Sequence, residues 1–268
     1  MTTPETYEIL VLKYGEMTAR YRRDNFMHPD DHDAPMPIDY FVWVIRNENR
    51  TILVDTGFEH KEASKRGRKL RMIPREALAE AGIAADAIGD VIVTHLHYDH
   101  AGTLGDYPNA RFHLQDVEMA YATGRCMCEP AMNVPFTVDH VCEMVRHVYS
   151  GRVVFHNGDG EVAPGVSVHL MPGHSKGIQS VRVLTKNGWV VLASDAVHFY
   201  ENLEKRKPFF ITIDMEATLN SYSRIATLAS SPEQVIPGHD PLVLQRFPAW
   251  KPQTSGIIHQ LDVLPKSD

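Results

Sequence analysis

Six consecutive residues, His95-Leu-His97-Tyr-Asp99-His100, contain four side chains that can bind a metal ion. Imidazole and carboxylate groups are good ligands for zinc and for other first-row metals. A tight turn after a strand can direct alternate side chains towards one point, so this spacing indicates a metal site. The alternative is a polar loop that is rich in histidine by chance.

Three further candidate ligands occupy equivalent positions later in the chain, which argues against chance. His174 follows a Pro-Gly pair, Asp195 follows a serine, and His239 follows a second Pro-Gly pair. Each comes directly after a short apolar run, as His95 does after residues 91–94. Polar side chains at the ends of strands are typical of a site that loops build on a rigid sheet. The seven residues together predict a metal centre.

The elements that must position these ligands are mainly short strands. Apolar runs predict strands at residues 7–14, 40–45, 51–55, 91–94, 111–114, 166–170, 180–184 and 189–193. The dipeptide Asn187-Gly188 favours a hairpin turn between the last two. Apolar side chains at helical spacing predict a helix over residues 216–229, with Asp214 as its N-cap. No repeat or linker divides the chain, so we expect a single domain over residues 1–268.

The composition disfavours several classes of partner. With 27 basic and 34 acidic residues the net charge is −7, so nothing in the electrostatics points to nucleic acid. The one basic cluster, residues 61–71, includes Lys65, Arg66, Arg68, Lys69 and Arg71. Because it has few apolar anchors, we expect a solvated helix or loop face rather than a phosphate-binding patch.

The expected location is the cytoplasm. The first residues carry neither a positive flank nor a long apolar stretch, and no window reaches the ~18 apolar residues of a membrane helix. The three cysteines, Cys126, Cys128 and Cys142, cannot form a complete disulfide set and fit a reducing compartment as free thiols. We therefore expect no membrane partner.

The His-x-His-x-Asp-His run, followed by His174, Asp195 and His239 and preceded by the Asp55-Thr-Gly turn, resembles the metallo-β-lactamase superfamily. The resemblance covers the chain from about Tyr7 to His239. It implies an α/β fold of the αββα type, in which two mixed β-sheets face each other and helices cover the outside. The metals are then expected at one edge of the sandwich.

The resemblance also divides the ligands between two divalent metal ions, with zinc expected first and manganese, iron or cobalt as alternatives. It assigns His95, His97 and His174 to one metal and Asp99, His100 and His239 to the other, with Asp195 as the bridge. Asp55 is expected to support the site without ligating. Two cations close together lower the pKa of a shared water from 15.7 towards ~7, so a metal-bridging hydroxide becomes available for hydrolysis.

Within the superfamily the chain looks most like the N-acyl homoserine lactonase branch, through its His-Leu-His-Tyr-Asp-His-Ala-Gly run and its Pro-Gly-His-Ser-x-Gly run. The resemblance implies a small-molecule substrate, a cyclic ester, and a lid formed by the loop at about residues 17–38. We expect the proton for the leaving alkoxide to come from Asp99. Apolar residues predicted to contact the substrate are Phe26, Met27, Met36 and Tyr98. A homodimer is one of the assemblies left open.

One position departs from that branch. The lactonases usually carry a tyrosine three residues after the bridging aspartate, where this chain has His198, with Tyr200 two residues further on. We predict that His198 donates the hydrogen bond to the substrate carbonyl, with Tyr200 as the alternative donor. The departure leaves open another lactone, another ester or a cyclic amide. A glyoxalase II-like thioesterase and a phosphodiesterase are the alternative enzymes. The remaining alternative is a metal-binding protein without enzymatic activity.

Overall fold

The computed structural model describes residues 5–28 and 33–266. In the N-terminal half the strands are β1 (Glu8–Met17), β2 (Ile38–Arg46), β3 (Thr51–Val54), β4 (Lys69–Leu70), β5 (Asp90–Ile92) and β6 (Arg111–Gln115). The later strands are β7 (Val153–His156), β8 (Gly160–Ala163), β9 (Val166–Leu170), β10 (Gln179–Thr185), β11 (Gly188–Ser194), β12 (Val235–Pro237) and β13 (Ile258–Gln260). The α-helices are α1 (His60–Arg66), α2 (Pro74–Glu80), α3 (Asp116–Ala122), α4 (Pro130–Asn133), α5 (Val138–Tyr149), α6 (Tyr200–Glu204), α7 (Met215–Leu228) and α8 (Leu242–Arg246).

The strands form two mixed sheets. The first has the order β13-β1-β2-β3-β5-β6-β7, with β4 also paired to β1. Its β1, β2 and β3 are antiparallel, whereas β3, β5, β6 and β7 run parallel. The second sheet has the order β12-β11-β10-β9-β8, and β12 is parallel to β11 while the other pairs are antiparallel.

Alternating side chains place these sheets face to face. In β1, Ile9 belongs to a core shared with strands of the second sheet, whereas Leu10 packs into a core covered by α1, α2 and α5. In β11, Val190 faces the shared core and Val191 packs beneath α7. Successive residues of a strand point to opposite faces, so each sheet is covered on both sides. The αββα sandwich expected from the sequence is therefore confirmed.

The eight predicted strands are present as β1, β2, β3, β5, β6, β9, β10 and β11. The predicted hairpin joins β10 to β11 with Thr185 opposite Gly188, whose φ is +105°. Helix α7 begins at Met215, and the Asp214 side chain accepts a hydrogen bond from the Ala217 amide at 2.9 Å. Strands β4, β7, β8 and β13 escaped prediction because they have two to four residues and no clear apolar alternation.

The expectation for the basic cluster is wrong at Arg66, which is partly buried and paired with Glu62, and at Arg68. Helix α1 ends at Arg66, and Lys65 and Lys69 are exposed as expected. Arg68 instead turns inwards and is partly buried beside Tyr98. A basic residue that follows a helix end need not lie on the solvated face of that helix.

The predicted lid corresponds to the connection between Met17, which ends β1, and Ile38, which begins β2. Residues 29–32 of this loop lie outside the described residues. The three cysteines are free thiols. Among the described residues, no helix is both long and apolar enough to cross a membrane.

Candidate metal centre

Strand ends bring the seven predicted ligands to one edge of the sandwich. The loop that carries His95 follows β5 of the first sheet, whereas His174, Asp195 and His239 follow β9, β11 and β12 of the second. All seven residues are buried, and none is more than 8% exposed: His95, His97, Asp99, His100, His174, Asp195 and His239. Their ligand atoms include two compact groups that share no residue, His95 with His97 and His174, and Asp99 with His100 and His239. Two further groups contain Asp195, one with His95 and His100 and the other with His174 and His198.

The Asp195 carboxylate lies between the two groups and presents a different oxygen to each. Its Oδ2 lies 3.2 Å from His174 Nε2 and 4.0 Å from His95 Nε2. Its Oδ1 lies 2.9 Å from His239 Nε2 and 3.1 Å from His100 Nε2. This is the arrangement needed for one carboxylate to bind two cations at once.

Several of these atoms have no hydrogen-bond partner despite being buried. Within the described residues, His95 Nε2, His100 Nε2 and Asp195 Oδ1 approach their neighbours without making a hydrogen bond. Buried polar atoms are nearly always satisfied in native proteins, and an unsatisfied one costs about 1–3 kcal/mol. Three such atoms converging on one place fit a pair of cations, which would supply the missing partner.

The protonation of the imidazoles agrees with this fit. Burial and neighbouring imidazoles hold the pKa values of His95 and His97 well below the ordinary value, so both rings are neutral and offer lone pairs. Burial also lowers the pKa values of His100 and His239, but the neighbouring carboxylates, Asp195 first and then Asp99, together outweigh it and raise them. The second group therefore favours positive charge, which a divalent cation can supply in place of protons.

Asp55 holds the second group in place. The Nδ1 of His100 donates to Asp55 at 2.7 Å, and the amide and hydroxyl of Thr94 donate to the same carboxylate at 2.7 and 2.8 Å. The hydrogen bond from His100 to Asp55 fixes the imidazole ring so that its Nε2 faces Asp195. Asp55 has a φ of +62° and Ser194, which precedes Asp195, has a φ of +49°. Such strain in non-glycine residues is typical of functional sites.

Backbone carbonyls orient two other histidines in the same way. The Nδ1 of His174 donates to the Ile211 carbonyl at 2.8 Å, and the Nδ1 of His239 donates to the Asp39 carbonyl at 2.7 Å. Both rings therefore direct Nε2 towards the cluster.

Sequence reasoning missed Glu118, which ties two ligand loops together. This buried carboxylate of α3 accepts hydrogen bonds from the Leu96 amide at 3.0 Å, the Ser175 hydroxyl at 2.7 Å and the Gly177 amide at 2.9 Å. Leu96 lies between two ligands of the first loop, and Ser175 follows His174. No local motif marks Glu118, since its partners lie 22 to 59 residues away in the chain.

His198 and Tyr200 point in different directions. The Nε2 of His198 lies 3.0 Å from Asp195 Oδ2, and its ring stacks on Phe209 with centroids 3.6 Å apart. Tyr200 packs into the core between the sheets, beneath the Arg246 guanidinium, and borders a separate cavity. The alternative in which Tyr200 serves the carbonyl is therefore corrected, because its side chain does not reach the metal cavity.

A cavity of about 80 Å³ opens above the ligands. Besides ligand residues and His198, its walls include side chains that sequence reasoning did not select: Arg20, Tyr40, Arg68, Phe209, Phe210 and Ile211. They come from four separate segments without a recognisable motif. Their assembly depends on the folding of the whole chain.

Of the four predicted substrate contacts, Tyr98 lines this cavity, and its hydroxyl lies 3.0 Å from that of Tyr40. Phe26 is buried against Phe199, outside the cavity wall. The other two, Met27 and Met36, are partly buried, and neither lines the metal cavity; Met36 borders the cavity beside Tyr200 instead. None of Phe26, Met27 and Met36 lines the metal cavity, so contact with substrate stays a prediction for these three residues.

Residues 37–241 match the family model of the metallo-beta-lactamase superfamily, and this span contains all seven candidate ligands. The chain is 29% identical over 217 residues to the N-acyl homoserine lactonase of Bacillus thuringiensis, covering 74% of this chain and 81% of the relative. It is 30% identical over 217 residues to the N-acyl homoserine lactonase of Bacillus cereus, with the same coverage.

Solved structures show the same architecture. A quorum-quenching N-acyl homoserine lactone hydrolase superimposes with a TM-score of 0.70 at 25% identity, over 89% of this chain and 95% of its own. An N-acyl homoserine lactone hydrolase with N-hexanoyl-L-homoserine bound at its catalytic metal center superimposes with a TM-score of 0.72 at 23% identity, over 91% and 96% of the two chains. The chain belongs to the metallo-beta-lactamase superfamily and is a metal-dependent hydrolase.

Proposed function

We propose that this protein is a dinuclear-metal lactonase that opens a cyclic ester, with N-acyl homoserine lactones among the first substrates to test. The observation that carries the proposal is the Asp195 carboxylate, whose two oxygens face two separate ligand groups below a cavity. The named activity of the relatives from Bacillus thuringiensis and Bacillus cereus supports the choice of ester.

In this proposal His95, His97 and His174 hold one cation, Asp99, His100 and His239 hold the other, and Asp195 binds both. When bound, the two cations would lower the pKa of a shared water and polarise the ester carbonyl. Zinc suits these ligands, and manganese, iron and cobalt are alternatives.

His198 is proposed to stabilise the charge that develops on the carbonyl oxygen. Burial lowers its pKa to about 3, so the ring is neutral at pH 7 and carries one N–H. Stacking on Phe209 holds this ring at the cavity wall, and the 3.0 Å contact between Nε2 and Asp195 Oδ2 places the N–H on Nε2. With both Asp195 oxygens on cations, this N–H would be free to donate to the carbonyl oxygen. A donor that is already in place before the reaction loses little free energy to reorganisation.

Asp99 is proposed to return the proton. Hydrolysis adds the oxygen of water to the acyl carbon, breaks the ring C–O bond, and requires a proton on the departing alkoxide oxygen. Asp99 lines the cavity, with its carboxylate oxygens 3.8 Å from His100 Nε2 and His239 Nε2. A carboxyl group at that place can carry a proton from the attacking water to the leaving oxygen.

The test combines elemental analysis with a substrate panel. Purified protein should hold about two metal ions per chain, and hydrolysis of lactones should cease with a strong chelator and return with added metal. The exposed histidine at the start of α1 offers a matched control, since His60→Ala should keep both metals. Fully active protein with one metal ion or fewer would contradict the dinuclear site. Faster turnover of thioesters or phosphodiesters than of any lactone would contradict the lactonase.

A further inference from the structure

Two arginines that the metal centre does not use, Arg20 and Arg68, line the cavity above it. Arg20 belongs to the loop between β1 and β2, and Arg68 to the segment between α1 and β4. Arg20 is buried and Arg68 is partly buried. They therefore place two guanidinium groups, each permanently charged, at the wall that a substrate must touch.

Arg20 is held by neutral groups. Its Nε donates to the Asn25 side chain and its Nη2 to the Asp24 carbonyl at 2.6 Å. The guanidinium also lies over Phe209 and Phe210, at 5.4 and 5.2 Å from the ring centroids. These contacts fix its position, and among the described residues no carboxylate forms an ion pair with it, although Asp24 is near enough to act on its charge.

Arg68 has surroundings of the same kind. Its Nε donates to the Tyr98 hydroxyl at 3.0 Å, and its Nη1 lies 3.2 Å from the Met17 sulfur. In the described part of the chain it forms no ion pair with a carboxylate. Arg66, two residues earlier, is paired with Glu62. The contrast shows that this segment pairs one partly buried arginine with a carboxylate but does not do so at the cavity.

Unpaired buried charge is costly, and proteins normally compensate it with a counter-charge. The centre itself does not compensate it. With two divalent cations bound, their four positive charges would be balanced by Asp99, Asp195, Asp55 and a metal-bound hydroxide, which leaves no negative charge for the arginines. An anionic group on the substrate would lie beside the guanidinium groups of Arg20 and Arg68, whose planar arrays of N–H donors suit a carboxylate.

The cavity also limits size. Its volume of about 80 Å³ is well below the ~300–1,000 Å³ of sites for drug-sized ligands. Phe209, Phe210 and Ile211 close one side. The space suits a small ring with a short substituent better than a long acyl chain.

We infer that the substrate is a compact lactone that carries a carboxylate, and that Arg20 and Arg68 bind this carboxylate while the ester lies over Asp195. This inference rests on the proposed lactonase function. It adds the requirement that the substrate carries a negative charge, which the proposed lactonase function alone does not contain.

The test compares two lactones of nearly equal shape, the γ-lactone of 2-hydroxyglutarate and its primary amide. Charge-assisted hydrogen bonds predict that the carboxylate lactone has a kcat/KM about tenfold or more above that of the amide, mainly through a lower KM. In Arg20→Met and in Arg68→Met this ratio should fall towards one. Arg→Lys at either position should keep part of the preference, and Arg71→Met, an exposed arginine three residues beyond Arg68, should keep all of it.

A binding measurement separates this inference from the proposed function. Titration calorimetry on the metal-loaded protein should show tighter binding of 2-hydroxyglutarate than of 4-hydroxybutyrate, a difference that Arg20→Met and Arg68→Met reduce. Lactone hydrolysis with no preference for charge, in turnover or in binding, would overturn the inference and leave the lactonase standing. If no lactone is hydrolysed, the lactonase fails, and an arginine-dependent preference for the dianion would still support the anion site.

Discussion

At the scale of single residues, the geometry of the centre depends most on Asp195. Its two oxygens reach histidines that follow strands of different sheets. An amide at this position has the same shape but one acceptor oxygen and no charge. The amide oxygen can bind the cation of one ligand group, but the cation of the other group then lacks the ligand that Asp195 supplies.

Asp195→Asn should therefore lose at least one metal ion per chain and most of the activity together. The expected fall in turnover is on the order of 10² or more, since both water activation and charge balance fail. Elemental analysis and kcat on the same preparation make the measurement, with His60→Ala alongside. Retention of two metals and wild-type kcat would remove Asp195 from the bridge.

His198→Ala should lower kcat by ~10²–10³ while both metals stay bound, because it removes one donor to the carbonyl oxygen. His198→Tyr should restore part of the rate. Tyr200→Phe is the matched control, since this hydroxyl belongs to the core between the sheets and should leave kcat unchanged. Unchanged kcat in metal-loaded His198→Ala would exclude the proposed role.

At the scale of elements, the strand ends deliver ligands and other groups hold the loops that follow. Glu118 of α3 does this for the loops of His97 and His174, through Leu96, Ser175 and Gly177. Gly177 has no room for a side chain, because a Cβ there would lie 2.2 Å from the Glu118 amide nitrogen. The close contact between α3 and the loop after His174 therefore depends on the glycine at position 177 as well as on the Glu118 carboxylate.

Glu118→Gln should weaken metal binding by about 10–100-fold, since supporting groups of this kind tune ligand position. The amide can accept from fewer donors and presents an N–H to the Leu96 or Gly177 amide. Metal affinity from competition with a chelator measures the effect, and the exposed Asp116→Asn on the same helix serves as control. Equal affinities for both variants and wild type would show that Glu118 does not support the ligand loops.

The loop between β1 and β2 is tied to α6 by an ion pair between Arg22 and Glu201, with two N–O distances of 2.7 Å. The Arg22 guanidinium, despite partial burial, and Lys205 lower the pKa of Glu201 to about 2. Since the folded pKa lies below the ordinary value near 4.5, the pair stabilises the fold fully above about pH 5 and progressively less towards pH 2.

Glu201→Gln should therefore reduce the free energy of unfolding by about 1–2 kcal/mol at pH 7, allowing for solvent screening of this partly buried pair. The difference in the free energy of unfolding between the variant and the wild type should become smaller as the pH falls below 4. Urea unfolding of both proteins at pH 7 and pH 3.5 measures it. An equal difference in the free energy of unfolding at pH 7 and pH 3.5 would exclude the ion pair as its cause.

At the scale of the whole molecule, the candidate centre joins the two halves of the sandwich. The loop of residues 95–100 belongs to the first sheet, and His174, Asp195 and His239 belong to the second. Cations bound here would cross-link the sheets at one edge. Without them the same edge contains buried polar atoms that lack partners.

Removing the metals should therefore lower the thermal stability of the chain. A ligand that binds the folded state at 1,000 times its Kd stabilises it by about 4 kcal/mol, and Tm should rise with the free metal concentration. Thermal unfolding with chelator, without it and with added zinc measures this. Asp195→Asn should show little response to zinc, and a Tm that does not depend on metal in the wild type would contradict the cross-link.

The sequence alone determined the candidate ligand set and most strands, because both depend on local patterns. Apolar runs predict strands, and the ligands follow these runs directly, as His95 does after β5. The resemblance of those motifs to a known superfamily then supplied the layered architecture and the division of ligands. Every candidate ligand lies where strand ends meet, since a rigid sheet carries residues distant in sequence to the same edge.

Tertiary structure alone decided which other side chains reach the site. Tyr200 lies two residues beyond His198, yet helix geometry at the start of α6 directs it into the core. Arg20 and Arg68 come from segments 48 residues apart and meet at the cavity because β1, α1 and β4 pack together. Glu118 acquires its role through contacts up to 59 residues away. Such long-range contacts leave no local pattern, because their free energy arises when the sheets and helices close around them.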